Sequence, residues 1–461
     1  MPDMSPKSVP MPGQSPEERV LNFKEVNSGY TAEMAMQEAQ RCLQCKNPLC
    51  VSSCPVNNQI PDFIRLVRDG KFREAYDTVR ATDALPAITG RVCPQESQCE
   101  CKCVRGIKGE PVAIGRIERF LGDWYRANCK GEPREQVPSN GRKVAVIGSG
   151  PSGLTCAEDL RALGYDVTVF EAFHRPGGVL VYGIPEFRLP KDVVADEIAS
   201  LEADGIEIKT DMVIGRVLTV DDLKSMGYEA IFIGTGAGLP MFMGIEGESL
   251  LGVCSANEYL TRVNLMKAYR DDYDTPIRGG KKVAVVGGGN VAMDAARCAR
   301  RLGADVTVIY RRSEAEMPAR REEVIHAKEE GIRFCFLTNP SRVVGDENGY
   351  VIGLDCDEME LGEPDASGRR RPVKKEGSEF RVDADTVIMA LGTSPNPLLR
   401  SSTPGLETDR KGCLVVDERL ATSLDGVYAG GDAVTGSATI ILAMGAGRKA
   451  AAAIDEYLKN K

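Results

Sequence analysis

The stretch VAVIGSGPSG at residues 144–153 returns, little changed, as VAVVGGGNVA at residues 283–292, and GYDVTVFEA at 164–172 returns as GADVTVIYR at 303–311, all at one offset of 139 residues. A β-branched run, a glycine turn, a helix-forming stretch and a second β-branched run open a βαβ unit. Written twice in register, the pattern predicts two Rossmann-type dinucleotide-binding domains in one α/β chain. In the first copy Gly148, Gly150 and Gly153 satisfy G-x-G-x-x-G directly after the strand, with Pro151 and Ser152 inside the motif. The next strand ends at Glu171, the acid position for a ribose hydroxyl. The glycines allow the turn, bring backbone close to a pyrophosphate and let helix pack on strand, and the helix N-terminus faces the phosphates. Because strand, turn, helix and acid coincide, a bound dinucleotide is favoured over a merely tight turn.

In the second copy Gly287, Gly289 and Ala292 fit the G-x-G-x-x-A variant, but the position of Glu171 is taken by Tyr310, followed by Arg311 and Arg312. An acid there repels a 2′-phosphate, whereas a guanidinium binds one bidentately, so this copy is expected to prefer NADPH. The competing reading is two arginines on a solvated turn.

The 461 residues exceed one ordinary core and suggest several domains. A net charge of -9 argues against a nucleic-acid partner, which needs a basic face. No apolar run is long enough to span a bilayer and residues 1–20 lack a signal-peptide core, so a cytoplasmic protein is expected. In that compartment the 15 cysteines are not expected to form disulfides. Their distribution is informative: Cys129, Cys156, Cys254, Cys298, Cys335, Cys356 and Cys413 stand alone, while the rest run Cys42-x2-Cys45-x4-Cys50-x3-Cys54-Pro55 and Cys93-x5-Cys99-x3-Cys103, with Cys101 interposed. Such close thiolates converge on an inorganic core, and a Cys-Pro ending is how two-cluster ferredoxins send a fourth cysteine to the other cluster. Structural zinc is the alternative, but only one CxxC and no histidine occur in the region, so iron–sulfur is favoured. If Cys101 points away, two four-coordinate clusters lack one ligand. Glu118 shares a helical face with Ile114, Ile117 and Leu121 and needs a partner there, or else is a solvated glutamate on the margin of that stripe. His174 and His326 have no nucleophile or metal spacing and read as structural. No dithiol pair follows the nucleotide units, which argues against a flavin-dependent disulfide reductase.

The punctuation of the chain predicts a loose Pro/Ser/Met-rich arm over 1–20, a small helical domain over 21–130 with helical stretches at 62–79 and 112–125, a polar linker over 131–141, and two interleaved nucleotide domains. The first is expected at 140–255 plus 380–461, the latter part including strand-like pieces at 386–389 and 427–429, and the second is inserted at 256–379.

With these residues read, the chain resembles the family that includes the glutamate synthase small subunit, the N-terminal half of dihydropyrimidine dehydrogenase and the large subunit of NADH-dependent ferredoxin:NADP oxidoreductase. The likeness runs from about Leu21 to the end and rests on RCLQCKNPLCVSSCPVNNQIPDFI, GRVCPQESQCECKC, GVLVYGIPEFRLPK, VVGGGNVAMDAAR, YRRSEAEMPAR and GDAVTGSATIILAMGAGRKAA. The x5 spacing between Cys93 and Cys99 looks more like the electron-bifurcating oxidoreductase branch. The resemblance implies one [4Fe-4S] cluster on Cys42, Cys45, Cys50 and Cys103 and another on Cys54, Cys93, Cys99 and Glu118. It implies FAD contacts from Gly178, Val179, Leu180, Gly183, Arg188, Val213, Thr235, Gly236, Gly431, Asp432 and Thr439. NADPH is implied around Gly289, Asn290, Val291, Arg311, Arg312, Arg320 and Gly392. Cys101 departs from the family pattern, which needs no thiol there. The resemblance further implies NADPH oxidation coupled to reduction of NAD and ferredoxin, with a small NAD-reducing flavoprotein as partner in a hetero-oligomer. The alternatives are a small subunit feeding a large glutamate-forming subunit and, from a different class, a non-catalytic nucleotide sensor with structural zinc.

Overall fold

The computed structural model describes residues 2–132, 137–364 and 368–461, so residues 133–136 of the expected linker lie outside the described residues. The two copies of the repeat fold element for element: strands Lys143–Ile147 and Lys282–Val286, helices Pro151–Ala162 and Asn290–Arg301, then strands Asp166–Phe170 and Asp305–Tyr310. Beyond its exposed first residue each fingerprint strand is buried throughout, as expected of a parallel strand covered on both faces. The first sheet runs in the order Val427–Ala429, Tyr228–Ile233, Lys143–Ile147, Asp166–Phe170, Glu207–Lys209, all parallel. The second repeats the arrangement with Val253–Ser255, Thr386–Met389, Lys282–Val286, Asp305–Tyr310 and Arg333–Phe336.

That order corrects the expected domain division. Val253–Ser255 and Thr386–Met389 pair with each other, and the latter pairs with Lys282–Val286, so both belong to the second sheet rather than the first. A short apolar run is suited to either sheet, and its sequence does not say which edge it will join. The chain crosses between the two domains at Leu239–Pro240 and Thr393–Ser394, which lie side by side as an antiparallel pair. Between Arg333–Phe336 and Thr386–Met389 it makes a four-stranded antiparallel layer around the long strand Val351–Pro364. Leu354 and Cys356 of this layer pack with Ala284, Val286 and Ile309 of the second sheet. In the first domain the C-terminal helix Ile440–Lys459 lies close along Pro151–Ala162, where a Cβ on Gly447 would fall 2.3 Å from the Ser152 carbonyl oxygen.

The N-terminal domain is helical as expected, with one break: the stretch 62–79 forms two helices, Ile60–Arg68 and Phe72–Arg80, separated at Gly70, whose φ of +73° no helix accommodates. The expected loose arm is bound in place. Asp3 N–H donates to the Gln40 carbonyl at 2.9 Å, Glu110 N–H to the Pro6 carbonyl at 2.7 Å, and Val9 N–H to Glu38 Oε2 at 2.7 Å. Ser15 and Glu18 form a capping box on the single turn Pro16–Arg19. These contacts are made one group at a time with distant residues and leave no apolar period to read.

Arg19 carries the arm onto the second nucleotide domain. Its guanidinium meets Glu330 at 2.9 Å and Glu329 at 2.7 Å. Arg297 and Arg301 reach the same Glu330 carboxylate at 2.6 and 2.7 Å, with all three of these side chains fully buried. Both arginines also lie against the Phe187 ring, 4.8 and 3.8 Å from its centroid. Burial alone pushes the Glu330 carboxyl up, but hydrogen bonds and charge from Arg297 and Arg301 overcome it and hold the group at about 2. Its folded value lies below that of a free glutamate, so its contribution to stability is complete above about pH 4.3 and is lost as pH falls toward 2. Removing one member of a buried ion network leaves uncompensated charge, so Glu330→Gln is expected to cost about 3–5 kcal/mol at pH 7 in denaturant unfolding. Asp383→Asn, which breaks the exposed pair with Lys282, is expected to cost less than about 1 kcal/mol.

Candidate functional site

Both glycine turns are shaped to receive phosphate. Gly150 and Gly289 cap their helices with extended backbone and no side-chain hydrogen bond, so no capping side chain stands between the helix N-termini and a phosphate. A Cβ on either glycine would meet nothing within 4 Å. Gly153, by contrast, is packed so tightly that its Cβ would fall 1.9 Å from the Gly148 carbonyl oxygen, which keeps helix against strand. The turns therefore combine a packed side with an open one, as a dinucleotide pyrophosphate requires.

Around the first turn Glu171 is buried, and its carboxylate accepts Ser149 N–H at 3.0 Å, the Ser149 hydroxyl, and Phe173 N–H at 2.8 Å. Two oxygens with about four acceptor positions leave room for a ribose hydroxyl. Ser149 was missed in the sequence, although its place inside the fingerprint is where a hydroxyl can reach back to the acid. Gly178 adopts φ +54° beside Gly150, where a Cβ would lie 3.0 Å from the Gly150 Cα. From it runs the turn Val179–Tyr182, with Leu180 buried and Gly183 closing it. Asn264, in the π-helical turn Thr261–Leu265, donates to the carbonyls of Tyr182 and Gly183 at 3.3 and 3.1 Å and so braces this segment from the second domain's side. Val213 follows Met212, whose N–H donates to the Glu171 carbonyl at 2.8 Å. Thr235 is exposed beyond Gly234, whose N–H donates to the Ile147 carbonyl, and Gly236 has φ +67° with open space at its Cβ position. Gly431 packs against Ser152, Asp432 accepts Ala438 N–H at 3.2 Å, and Thr439 caps the C-terminal helix. Arg188, expected at the flavin, extends its guanidinium across the domain boundary to Asp294 at 2.8 Å and Glu323 at 3.1 Å.

At the second turn, Asn290 Oδ1 accepts the N–H of Arg320 at 2.9 Å, Val291 is exposed, and Ala292 is buried. Gly392 has φ +110° with nothing near its Cβ position. The two arginines after Tyr310 part company. Arg311 is exposed and, among the described residues, makes no hydrogen bond or ion pair, whereas Arg312 is buried and donates to the Arg370 carbonyl at 2.7 Å in the antiparallel layer. Arg312 thereby ties the second sheet to the antiparallel layer. Successive residues after a strand point to opposite sides, and the second side here is protein.

Four of the cysteines come together at one cavity. Cys42, Cys45, Cys50 and Cys103 line one cavity of about 30 Å³ with Leu49, Ile60 and Val104. Burial raises the Cys50 thiol to about 11, with the negative charge of Cys103 and Cys42 adding to it. Cys93 is raised by burial and then by the charges of Glu118, Asp83, Cys99 and Cys54, which places these groups together. Cys54 is raised to about 11 by burial. Thiols crowded and buried in this way resist ionising alone and do so on a cationic core, so the donor sets fit iron–sulfur clusters. Cys101 is exposed and lines neither set. Among the described residues no group of three or more His, Cys, Asp or Glu is drawn close enough for a single metal ion.

Glu118 sits where two helices nearly touch. A Cβ on Gly90 would lie 2.4 Å from Arg119 N, and one on Gly122 2.6 Å from the Ala87 Cα, so helix Pro86–Val92 is seated against Ile114–Asn128 through glycine. That approach sets the Thr89 hydroxyl 2.6 Å from Glu118 Oε1 and 2.7 Å from Asp83 Oδ2. Burial raises both carboxyls, and the charge of Asp83 raises the cost of ionising Glu118 further. Asp83 and Thr89 were not foreseen. Asp83 does announce a turn two residues before Leu85, whose N–H it accepts at 2.9 Å, but nothing local joins it to a residue 35 positions on.

A family model described as dihydropyrimidine dehydrogenase domain II, 4Fe-4S cluster, matches residues 19–130, and one for pyridine nucleotide-disulphide oxidoreductases matches residues 142–454. The chain is 39% identical to the glutamate synthase [NADPH] small chain of Azospirillum brasilense, with 98% of this chain and 95% of that protein aligned. The chain belongs to the glutamate synthase small-chain-like family. This family of pyridine nucleotide-disulphide oxidoreductases also takes in the NADP(+)-dependent formate dehydrogenase subunit beta of Moorella thermoacetica, which is 40% identical over 89% of this chain and 60% of that subunit. The family fold is seen in FprA of Mycobacterium tuberculosis in complex with NADPH, 19% identical with a TM-score of 0.58 over 70% of this chain and 85% of that one. As a member of the glutamate synthase small-chain-like family, the chain is an NADPH-dependent flavin and iron–sulfur oxidoreductase. The non-catalytic zinc sensor is overturned by the 4Fe-4S match across the cysteine-bearing residues.

Arg311→Ala is expected to raise KM for NADPH about tenfold or more while leaving KM for NADH nearly unchanged, because a charge-assisted pair contributes about 1.5–3 kcal/mol. Arg312→Ala should instead lower stability without changing the NADPH to NADH preference, and steady-state kinetics with both nucleotides separate the two roles. Glu118→Ala is expected to remove or alter one cluster in anaerobic iron analysis and EPR, with the other intact, whereas Cys101→Ala leaves both. The reverse result would reassign the ligand.

Proposed function

We propose that the chain is the NADPH-oxidising large subunit of an electron-bifurcating ferredoxin:NADP oxidoreductase, with FAD on the Gly148–Gly153 turn, NADPH on the Gly287–Ala292 turn and two [4Fe-4S] clusters in the helical domain. The supporting observation is the order of the sites. Cys93 belongs to the core that the first nucleotide domain shares with helix Pro86–Val92, in which Ile441 and Met444 of the C-terminal helix also lie; Cys54 packs against both this core and the helical domain's own, and Cys42, Cys50, Cys99 and Cys103 pack against the latter. Gly445 of the C-terminal helix abuts the Pro55 carbonyl, where a Cβ would lie 2.9 Å away. One cysteine set thus reaches the flavin domain through Cys93 and Cys54, and the other lies beyond it, which supports a relay leading outward. When bound, FAD takes an electron pair as hydride from NADPH, and iron–sulfur centres take electrons singly. The residues of the chain hold these groups in sequence: Glu171 orients a ribose, Arg311 reads the 2′-phosphate, and the glycine-mediated helix contact sets Glu118 toward the inner cluster. The partners in this reading are a small NAD-reducing flavoprotein subunit and ferredoxin in a cytoplasmic hetero-oligomer. No described helix is long and apolar enough to cross a membrane.

The nearly end-to-end match to proteins named glutamate synthase small chain favours a second reading, in which the electrons pass to a large glutamate-forming subunit. With NADPH supplied to the copurified complex, ferredoxin reduction is expected only when NAD is also present. NAD-independent ferredoxin reduction would falsify bifurcation, and glutamate formed from 2-oxoglutarate and glutamine would establish the synthase.

A further inference from the structure

Arg320 was expected to hold NADPH, and its backbone is indeed at the nucleotide turn. Its N–H donates to Asn290 Oδ1 at 2.9 Å, and Ala319 N–H donates to the Gly288 carbonyl at 3.2 Å. Its side chain is engaged with the loop that bears Cys93. Nη1 donates to the Arg91 carbonyl at 3.2 Å, Nη2 to Gln95 Oε1 at 3.1 Å, and Nε approaches Glu96 Oε1 at 3.4 Å. Those three residues bracket Cys93. Gln95 in turn is pressed onto the helix that bears Glu118, since a Cβ on Gly115 would fall 2.2 Å from Gln95 Nε2. The guanidinium is mostly buried, and it also meets the Glu322 carboxylate at 3.3 Å.

We propose that Arg320 is a positioning residue shared between the NADPH turn and the Cys93 loop, so that nucleotide occupancy and the reduction potential of the inner cluster are linked. The inference rests on the assignment of NADPH to the second turn and of a cluster to Cys93. A cluster's potential responds to nearby charge and to hydrogen bonds around its ligands. Phosphate at the turn draws on the same guanidinium that secures the Cys93 loop, and the two backbone hydrogen bonds transmit any shift of residues 319 and 320. Withdrawing a cation from the loop makes the cluster harder to reduce. Linkage then requires nucleotide to bind the oxidised protein more tightly than the reduced protein by the same factor.

The probe is 2′-phospho-ADP-ribose, which carries every phosphate of NADP but no nicotinamide and so accepts no electrons. Calorimetry of its binding and iron analysis of the holoprotein first test the underlying assignments, and failure of either sinks those assignments rather than the coupling. In an anaerobic EPR redox titration, saturating probe is expected to lower the midpoint of one cluster, with about a fivefold or greater affinity ratio between oxidation states. That ratio corresponds to about 40 mV, at 59 mV per tenfold for a one-electron couple. In Arg320→Gln the probe still binds and the shift disappears. Should that variant fail to retain its clusters, Arg320→Lys, which keeps the cation but not the fork, should show a diminished shift. No shift in the unaltered protein, or an undiminished shift in the variant, overturns the proposal.

Discussion

Arg19, Arg297 and Arg301 converge on one buried carboxylate, Glu330, and the placement of the domains depends on that shared anion. The arginines arrive from the N-terminal segment and from the helix of the second glycine turn, while Arg188 of the first nucleotide domain is drawn to Asp294 and Glu323 on the same side. Three parts of the chain are thus joined by charges that cannot separate without exposing bare ions to a dry interior. Apolar packing could hold the same surfaces together but would let them slide. Fork-shaped guanidinium contacts fix orientation as well as distance.

Electron transfer makes that rigidity useful, because its centres work only when held near one another in order. The cysteine-bearing domain meets the core of the first nucleotide domain through Cys93 and Cys54 and through Pro55 against Gly445. The same economy appears at Glu118, where Gly90 and Gly122 remove side chains so that two helices can set a hydroxyl between two carboxyls.

The fold was legible wherever a local pattern carried it. The repeat gave both fingerprint strands, both phosphate-facing helices and the exact offset between them, and the cysteine runs gave the cluster domain. What escaped was long-range. Thr386–Met389 reads equally well as a strand of either sheet, and Val253–Ser255 is too short to declare its partner. The arm over residues 2–20 is held by single hydrogen bonds and one arginine, none of which leaves a periodic mark. Among the site residues, chemistry was legible and direction was not: Arg311 and Arg312 are identical in sequence terms, yet one faces solvent and the other the antiparallel layer. The charges of Arg188 and Arg320 likewise answer to carboxylates and carbonyls far along the chain.

The antiparallel pair formed by Leu239–Pro240 and Thr393–Ser394 has a consequence for the history of such chains. Both strands that leave the flavin domain do so through one narrow doorway, so everything between them enters and exits at a single point. A segment with adjacent ends can be excised, lengthened or replaced by another of similar span with little disturbance to its host, since loop closure changes only slowly with length. The nicotinamide-binding segment is therefore a separable cassette, and the contacts that Arg188, Asn264, Arg320 and the N-terminal segment make across its boundary are what must be renegotiated when one cassette is exchanged for another.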